Sequence, residues 1–235
     1  MSTFKFKHFS IIQNVAAVKV GTDAMLLGAF TDVSTANKVL EIGTGTGVIS
    51  LMLAQKNPNV NVVALEIHTE TALEASCNIA SSSFYNNVKV YNYDFLRFQT
   101  TEKFDVVVTN PPYFESGLFP EDPKIQIAKH TDKATISDWF HQISNVLQND
   151  GSCWMILPAH SAQEWTELAN RFGLYTHKKI NLFAKPSVCK RVILCFSKKV
   201  SIVIHSDFTI RNTSGAYTLE YIELTSEFHD RIPVR

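Results

Sequence analysis

The sequence predicts an α/β fold in which helices cover both faces of a mostly parallel sheet. Short β-branched runs alternate with helical stretches through the middle of the chain, and a regular succession of strand, helix and strand is typical of such a sheet. The length of 235 residues, with 45% hydrophobic and 19% charged residues, fits one large globular domain and excludes disorder as the dominant state. The sequence has no repeat with a period of about 20 to 50 residues, which argues against a solenoid.

The predicted elements follow one another in a fixed order. The first strand, Lys38–Ile42, runs directly into a glycine-rich turn, and a helix is expected from there to Lys56. A later helix opens at Thr69 and carries Glu70 and Glu74 in its first turns, where the helix dipole favours anions. The remaining strands are expected at 60–67, 88–93, 104–109, 152–157 and 191–196, and the helices at 69–81, 136–147 and 162–172.

Two segments fall outside this alternation. The first 35 residues contain an extended basic and aromatic arm and a short helix near Thr22 and Asp23, whose side chains can cap free amides. The last part of the chain contains an apolar strand at 201–205 and a final helix at about 217–228. The expected division is 1–35, 36–200 and 201–235, with both outer segments packed on one domain.

Charge and cysteine content limit the classes of partner. Because 22 basic residues balance 22 acidic ones, net charge gives no general attraction to nucleic acid or to an anionic membrane. No apolar run reaches the ~18–20 residues that span a bilayer, and the first residues lack the apolar core of a signal peptide, so we expect a cytoplasmic protein. The four cysteines form no Cys-x-x-Cys pair and the eight histidines show no metal-site spacing. We therefore expect buried free thiols and no metal.

The turn after the first strand has the sequence Gly43-Thr44-Gly45-Thr46-Gly47. Glycines at such a turn allow positive φ angles and a close approach of ligand to backbone, and the following helix start offers unpaired N–H groups. This favours a nucleotide-like ligand, although the turn could be a plain connection. The spacing Gly-x-Gly-x-Gly differs from the Gly-x-Gly-x-x-Gly of dinucleotide enzymes, which disfavours a dehydrogenase.

Acidic residues end the next two predicted strands. Glu66 lies where a parallel α/β site places the carboxylate that holds both ribose hydroxyls. Asp94 ends the following strand, where it can meet an adenine amino group. Glu66 could instead be a solvated strand end and Asp94 a cap for the next loop. The ligand interpretation is favoured because the glycine turn and both carboxylates follow successive strands.

The strand at 104–109 leads into Asn110-Pro111-Pro112-Tyr113. The prolines fix φ and remove N–H donors, so the carbonyls here have few backbone partners. The side-chain oxygen of Asn110 and the carbonyl of Pro111 can both accept hydrogen bonds from one planar –NH₂ group, while Tyr113 offers a face for a flat ring. The motif therefore predicts chemistry on an amino nitrogen by positioning and electrostatics, although Asn-Pro-Pro is also a common loop signal.

These motifs together resemble the class I S-adenosylmethionine-dependent methyltransferases that modify amino nitrogens. The stretch from Lys19 to Gly28, the stretch from Tyr217 to Thr225 and Phe9 resemble more closely the bacterial family that methylates N6 of adenine 37 in a valine tRNA. The resemblance implies a Rossmann-like class I methyltransferase fold, with a seven-stranded sheet and an antiparallel C-terminal strand. It also implies S-adenosylmethionine as cofactor and tRNA as partner.

The resemblance further implies site residues. Residues 1–35 complete the cofactor pocket of a methyltransferase domain at 36–200, with the stretch Lys19–Asp23 beside the methionine end of the cofactor. The catalytic residues are expected to be Asn110, Pro111, Pro112 and Tyr113. The cofactor-binding residues are expected to be Lys19, Thr22, Asp23, Glu41, Gly43, Gly45, Gly47, Glu66, Asp94 and Asn110.

A basic segment suggests where RNA binds. The chain from Leu168 to Ser206 contains eight Lys and Arg residues and no Asp or Glu, so a neutral protein has segregated its charge. Such a segment can follow RNA phosphates, although it could also consist of ordinary solvated strand ends. The candidate contacts are Lys178, Lys179, Lys190 and Arg191.

Alternatives to tRNA methylation remain open at this stage. The side-chain amide of a protein glutamine presents the same planar –NH₂ group as adenine, and a non-catalytic RNA-binding protein could retain a cofactor pocket. The tetrapeptide argues against the second alternative, and the basic segment favours RNA over protein. His130, in the loop after the tetrapeptide, is the histidine that we would test, and a monomer is the favoured oligomeric state.

Overall fold

The computed structural model of the protein describes residues 2–16, 19–111 and 133–230, and for 133–135 the backbone alone. An eight-stranded sheet and a separate two-stranded hairpin make up the strands of this part of the chain. The helices are α1 (Thr22–Phe30), α2 (Val48–Lys56), α3 (Thr69–Ala80), α4 (Lys133–Val146), α5 (Ala162–Arg171) and α6 (Leu219–Thr225). The strands are β1 (Thr3–Lys5), β2 (Ser10–Ile12), β3 (Lys38–Ile42), β4 (Asn61–Glu66), β5 (Val88–Asn92), β6 (Phe104–Thr109), β7 (Leu147–Pro158), β8 (Tyr175–Phe183), β9 (Cys189–Ser197) and β10 (Ile204–Thr209).

The large sheet has the strand order β10-β8-β9-β7-β6-β3-β4-β5. All neighbouring strands from β7 to β5 are parallel, whereas β9 is antiparallel to both β7 and β8. The order of the strands reverses at β3. From β3 the chain adds β4 and β5 on one side, and it then returns to add β6 on the other side. In an open parallel sheet this switch point is where ligands bind, outside the carboxyl ends of the strands.

Two apolar cores lie on opposite faces of the sheet, because successive strand residues point to opposite sides. In β3, Val39 belongs to the core that α1 and α2 cover, while Leu40 belongs to the core that α4 and α5 cover. In β6, Val106 belongs to the core on the α1 and α2 side, and Val107 belongs to the core on the α4 and α5 side. The predicted α/β class, with helices on both faces of a mostly parallel sheet, is therefore confirmed.

The sheet differs from the expectation in its number of strands and in the position of its antiparallel strand. It has eight strands and not seven, because β8 forms from a stretch that the sequence analysis did not predict. The antiparallel strand is β9, in the interior of the sheet, whereas the C-terminal strand β10 runs parallel to β8. Lys178 and Lys179 interrupt the apolar pattern of β8, which explains why that pattern did not predict a strand.

The last strand and the last helix are displaced from their predicted positions. The strand expected at 201–205 begins at Ile204, where pairing with Lys178 starts, and it extends to Thr209. Val200 and Ile202 are 77% and 91% exposed, so the apolar run before β10 is not core. The final helix is α6 rather than 217–228.

The N-terminal arm is a short hairpin that is fastened by its aromatic side chains. Phe6 stacks on Phe9 with 4.4 Å between ring centroids, and both rings are buried in the core on the α1 side. Phe6 also forms an isolated antiparallel bridge with His229, near the end of the described chain. The arm is therefore packed on the main domain, while Lys5 and Lys7 remain exposed.

Candidate active site

The glycine-rich turn leaves open space at the carboxyl end of β3. Gly43, Gly45 and Gly47 have φ angles of 74°, 56° and 84°, in the left-handed region that favours glycine. A Cβ atom on Gly43 or Gly45 would meet no other atom within 4 Å, whereas one on Gly47 would lie 3.4 Å from Ile79. The first two glycines therefore border a space that a ligand can occupy, and the third permits close packing of α2 on α3.

Glu41 lies beneath this turn and is almost fully buried, with 1% of its surface exposed. Its Oε2 atom accepts hydrogen bonds from the hydroxyl of Thr44 at 2.7 Å and from the backbone N–H of Ser50 at 3.1 Å, and also from the Ser50 hydroxyl. Burial raises the pKa of Glu41 to about 7, although the hydrogen bonds from Ser50 and Thr44 act in the opposite direction. The Oε1 atom is buried without a hydrogen-bond partner in the described part of the chain, which leaves an acceptor beside the turn.

Glu66 is the last residue of β4, and its carboxylate contacts the glycine-rich turn. Its Oε2 atom accepts a hydrogen bond from the backbone N–H of Gly45 at 3.0 Å, and its Oε1 atom accepts one from His68 at 3.1 Å. A carboxylate has about four lone-pair positions, so each oxygen can accept a further hydrogen bond. Two hydroxyls of a ribose match this remaining capacity.

Asp94 follows β5 and caps the short 3₁₀ helix Phe95–Arg97. Its Oδ1 atom accepts a hydrogen bond from the backbone N–H of Leu96 at 3.0 Å, and its Oδ2 atom lies 3.7 Å from Nε of Arg97. The side chain is therefore the loop cap that the simpler interpretation expects. A contact from Asp94 to an adenine amino group stays a prediction.

The predicted tetrapeptide begins next to the glycine turn. The last residue of β6, Thr109, pairs with Ile42, and its buried hydroxyl donates a hydrogen bond of 2.9 Å to the Ile42 carbonyl. Asn110 therefore adjoins Gly43 across neighbouring strands, which lie ~4.8 Å apart in a sheet. Pro112 and Tyr113 lie outside the described residues, as does His130, so their predicted roles are not tested.

The stretch that precedes α1 is tied to α3 by two buried polar side chains. The carboxylate of Glu74 accepts three backbone hydrogen bonds, from Asn14 at 2.7 Å, Val15 at 2.9 Å and Ala16 at 3.0 Å. Asn78 bonds both the N–H and the carbonyl of Ile12 and also donates a hydrogen bond of 2.9 Å to the Thr46 carbonyl. Asn78 thereby joins the N-terminal segment to the glycine turn.

Helix α1 begins at the same edge of the sheet as the glycine turn. Its N-cap is Gly21, which has no capping side chain, so Thr22 and Asp23 are the first two helical residues and not the N-cap. Asp23 instead accepts a hydrogen bond of 2.9 Å from Nε of Arg191, the third residue of β9. Lys19 and Thr22 are exposed, and their predicted contacts with the cofactor stay predictions.

The four residues predicted to contact RNA do not form one surface. Lys178 and Lys179 are successive residues of β8, so their side chains point to opposite faces of the sheet. The ammonium of Lys178 lies 5.5 Å from the ring centroid of Trp154, and the guanidinium of Arg191 is held by Asp23. Lys190 is exposed at the start of β9.

Sequence reasoning did not find the contacts that hold these parts together, and it assigned Glu74 only to the helix dipole. Glu74, Asn78 and Thr109 are all buried, and each makes its contact with a part of the chain 32 to 67 residues away. A signal existed on α3, because Glu74 and Asn78 lie one turn apart on the side of the helix that also buries Ala75 and Ile79. Polar residues within an apolar stripe indicate specific buried partners.

Other features of the described chain bear on the remaining expectations. Its four cysteines are free thiols, of which Cys153 and Cys195 are buried as expected, whereas Cys77 is exposed. Burial raises the pKa of Cys195 to about 12.

Among the residues that the structure describes, no group of three or more His, Cys, Asp or Glu residues could hold a metal ion. The same residues include no helix with the length and hydropathy needed to cross a membrane.

Comparison with known proteins gives a family match and full-length relatives. Residues 14–182 match the family described as the methyltransferase small domain. A protein of Bacteroides thetaiotaomicron is 36% identical over 228 residues, which cover 96% of each chain, and one of Trichodesmium erythraeum is 36% identical over 231 residues, covering 96% of this chain and 97% of its own. Both bear the name tRNA1(Val) (adenine(37)-N6)-methyltransferase.

Solved structures support the fold at much lower sequence identity. A structure described as a predicted O-methyltransferase from Agrobacterium tumefaciens superposes with a TM-score of 0.68 at 17% identity, covering 88% of this chain and 96% of its own. A TehB-like SAM-dependent methyltransferase from Corynebacterium glutamicum superposes with a TM-score of 0.55 at 19% identity, covering 78% and 90%. These neighbours identify the architecture as the Rossmann-like fold of class I methyltransferases.

Proposed function

We propose, since the chain belongs to the methyltransferase small domain family, that it transfers a methyl group from S-adenosylmethionine to N6 of adenine 37 in a valine tRNA. The relatives that bear this activity in their names align with nearly the whole chain at about a third identity. The observation that carries the proposal is the position of Asn110 beside the Gly43 turn. It puts the predicted acceptor of an amino group next to the predicted cofactor pocket.

The residues around the turn fit the cofactor. Open space lies where Cβ atoms of Gly43 and Gly45 would point, and Glu66 retains acceptor capacity for the two ribose hydroxyls. The buried Oε1 atom of Glu41 can accept a hydrogen bond from a donor at the turn. S-adenosylmethionine, when bound, supplies a methyl group on a positively charged sulfur, which is the electrophile of the reaction.

The chain contributes to the reaction mainly by positioning. In our proposal the side-chain oxygen of Asn110 and the carbonyl of Pro111 accept the two N–H groups of the adenine amino nitrogen and direct its lone pair at the methyl carbon. A new N–C bond forms as the S–C bond breaks, and one proton leaves the nitrogen for water afterwards. No strong base is needed, and rate enhancement comes from orientation and preorganised dipoles.

The substrate and the compartment follow from the same proposal. A tRNA is the partner named by the relatives, and we place the enzyme in the cytoplasm as a monomer. The flat ring of Tyr113 is proposed to stack on the adenine, which has to be turned out of its own stack before it can react.

Product analysis tests the function directly. The protein is incubated with labelled S-adenosylmethionine and, in separate reactions, with the tRNA fraction and with the protein fraction of a strain that lacks the enzyme. The valine tRNA is isolated from the other tRNAs before it is digested to nucleosides. We expect label in N6-methyladenosine from a valine tRNA. Label in a protein amide, with none in tRNA, would instead identify a glutamine methyltransferase.

A further inference from the structure

The carboxyl edge of the sheet divides into two halves of different charge. On one side of β6, the ends of β4 and β5 carry the carboxylates of Glu66 and Asp94, where the cofactor is proposed to bind. On the other side, beyond β7, the edge is formed by the ends of β8 and β10 and by the start of the antiparallel β9. This second half carries the basic residues Lys185, Lys190 and Arg211, beside the paired Arg191 and Asp23 and beside Asp207 near the end of β10.

Two of these side chains are exposed lysines of one hairpin. Lys185 lies in the turn between β8 and β9, and Lys190 is the second residue of β9. The hairpin belongs to the segment from Leu168 to Ser206, which has no Asp or Glu. Two strongly solvated cations therefore project at the carboxyl edge, on the side of β6 that lies away from the proposed cofactor pocket.

Arg211 follows β10 and is held in place by its neighbours. Its guanidinium carbon lies 3.8 Å from the centroid of the Tyr217 ring, and Nη1 donates a hydrogen bond of 2.7 Å to the Gly215 carbonyl. The Tyr217 ring is itself stacked on Tyr221 with 4.5 Å between centroids. An arginine ordered in this way loses less side-chain entropy when an anion binds to it.

The position of a basic residue along its strand separates this set from Lys178 and Lys179, two of the four RNA contacts that the sequence suggested. Lys179 lies four residues before the end of β8, which is ~13 Å from the carboxyl edge at about 3.3 Å per residue. Lys178 lies one residue further from that edge, and the carboxylate of Asp32 and the ring of Trp154 are near it. Neither lysine faces the reaction site.

We propose that Lys185, Lys190 and Arg211 form the surface that contacts the tRNA phosphates flanking the reacting adenine. A loop whose base enters at Asn110 has to run across one half of the edge, and the carboxylates on the cofactor side disfavour its phosphates there. Counting strands at ~4.8 Å each, β9, β8 and β10 lie about 10, 14 and 19 Å from β6, which spans several nucleotides of a loop. This inference rests on the proposed function, because it assumes an RNA substrate.

The test compares two double variants with the same change in net charge. Lys185→Gln with Lys190→Gln removes two charges at the carboxyl edge. Lys38→Gln with Lys199→Gln removes two charges at the amino edge, where these lysines form exposed ion pairs with Glu102 and Asp150. Dissociation constants for an unmodified valine tRNA transcript are measured over a series of KCl concentrations, together with S-adenosylmethionine affinity and thermal unfolding as checks on folding.

We expect the carboxyl-edge variant to lower the slope of log K against log salt by about 1.4 to 1.8, or about 0.7 to 0.9 for each lost phosphate contact. The amino-edge variant should keep the wild-type slope, and both should bind S-adenosylmethionine normally. Equal slopes in all three proteins, or an equal reduction of the slope in the two variants, would contradict the proposed tRNA surface. Methylation of tRNA by the wild type would in that case still support the proposed function. If the wild type neither binds nor methylates tRNA, the proposed function fails and the surface fails with it.

Discussion

At the scale of single residues, the site depends on carboxylates and carbonyls whose hydrogen-bond capacity is only partly used. Glu41 is enclosed beneath the glycine turn, and one of its oxygens has no hydrogen-bond partner among the residues that the structure describes, whereas Glu66 accepts two backbone hydrogen bonds and retains capacity for two more. Each arrangement is costly in a folded protein unless a ligand or a change in protonation compensates for it.

Replacing Glu66 tests the proposed ribose contact. Glu66→Ala should weaken S-adenosylmethionine binding by about 1–3 kcal/mol, because ribose hydroxyls would lose their acceptors in a buried pocket. Isothermal titration calorimetry measures the affinity, and Glu66→Gln, which keeps one acceptor oxygen, should lose less. Unchanged affinity in Glu66→Ala would remove this residue from the cofactor site.

Replacing Asn110 tests the proposed amino-group acceptor. Asn110→Ala should lower the single-turnover rate of methyl transfer by roughly 10²-fold or more, as expected for loss of one preorganised polar contact. Thermal stability should remain close to that of the wild type, and cofactor affinity should fall less than in Glu66→Ala, since the Thr109 hydroxyl still bonds the Ile42 carbonyl at the end of β6. A wild-type rate would show that the amino group is positioned by other residues.

The raised pKa of Glu41 predicts how stability depends on pH. A carboxyl group with a pKa of about 7 when folded and about 4.5 when unfolded holds its proton more tightly in the folded state. The free energy of unfolding should therefore fall by about 3 kcal/mol as pH rises from about 4.5 to about 7, and this contribution should level off above that range. Urea denaturation across this range should give a flatter profile for Glu41→Gln, and parallel profiles for the two proteins would contradict the assignment.

At the scale of elements, helix α3 connects the N-terminal segment to the pocket. Glu74 binds the backbone of residues 14–16, and Asn78 binds both Ile12 and the glycine turn. The backbone N–H of Val20 in turn donates to the side-chain oxygen of Gln13 at 2.8 Å, which closes a loop just before α1. The segment proposed to border the methionine end of the cofactor is thus connected to α3 through residues 12–16 and Gln13, and it is also held by Arg191 through Asp23.

Weakening this connection should affect cofactor binding more than catalysis. Glu74→Gln removes one of two acceptor oxygens that serve three N–H groups, and hydrogen bonds to a charged group contribute about 1.5–3 kcal/mol each. We expect lower thermal stability and a several-fold higher KM for S-adenosylmethionine, with kcat at saturating cofactor nearly unchanged. The exposed neighbour Glu70→Gln serves as the control, and a fall in kcat alone would contradict a positioning role.

The sequence predicted those features of the fold and site that depend on local pattern. The residues Gly43, Glu66 and Asn110 could be placed because each directly follows a recognisable strand, and parallel strands bring their carboxyl ends to one edge. The strand β8 could not be predicted, because Lys178 and Lys179 interrupt its apolar pattern, and its pairing with the two strands that follow it in the chain leaves no mark on that pattern. The ion pair of Asp23 with Arg191 joins residues 168 positions apart, so no local signal announces it.

At the scale of the whole molecule, a chain with 22 basic and 22 acidic residues separates its charge along one edge of its sheet. The cofactor half carries carboxylates, and the other half carries the lysine hairpin of β8 and β9 together with Arg211. Net neutrality avoids indiscriminate attraction to nucleic acid, while a local basic surface still binds phosphates. In our proposal the two ligands meet the sheet on opposite sides of β6, which matches this separation.

This separation predicts that salt affects the two ligands differently in the wild-type enzyme. With about three phosphate contacts, tRNA binding should weaken by about 20- to 40-fold when KCl rises from about 50 to about 200 mM, because bound phosphates release condensed counterions. Binding of S-adenosylmethionine should change little, since a small ligand without phosphates releases no such ions. Affinities for both ligands can be measured on one preparation, by filter binding for tRNA and by calorimetry for the cofactor. A less than threefold change for tRNA would mean that shape and base contacts, rather than phosphates, dominate its recognition.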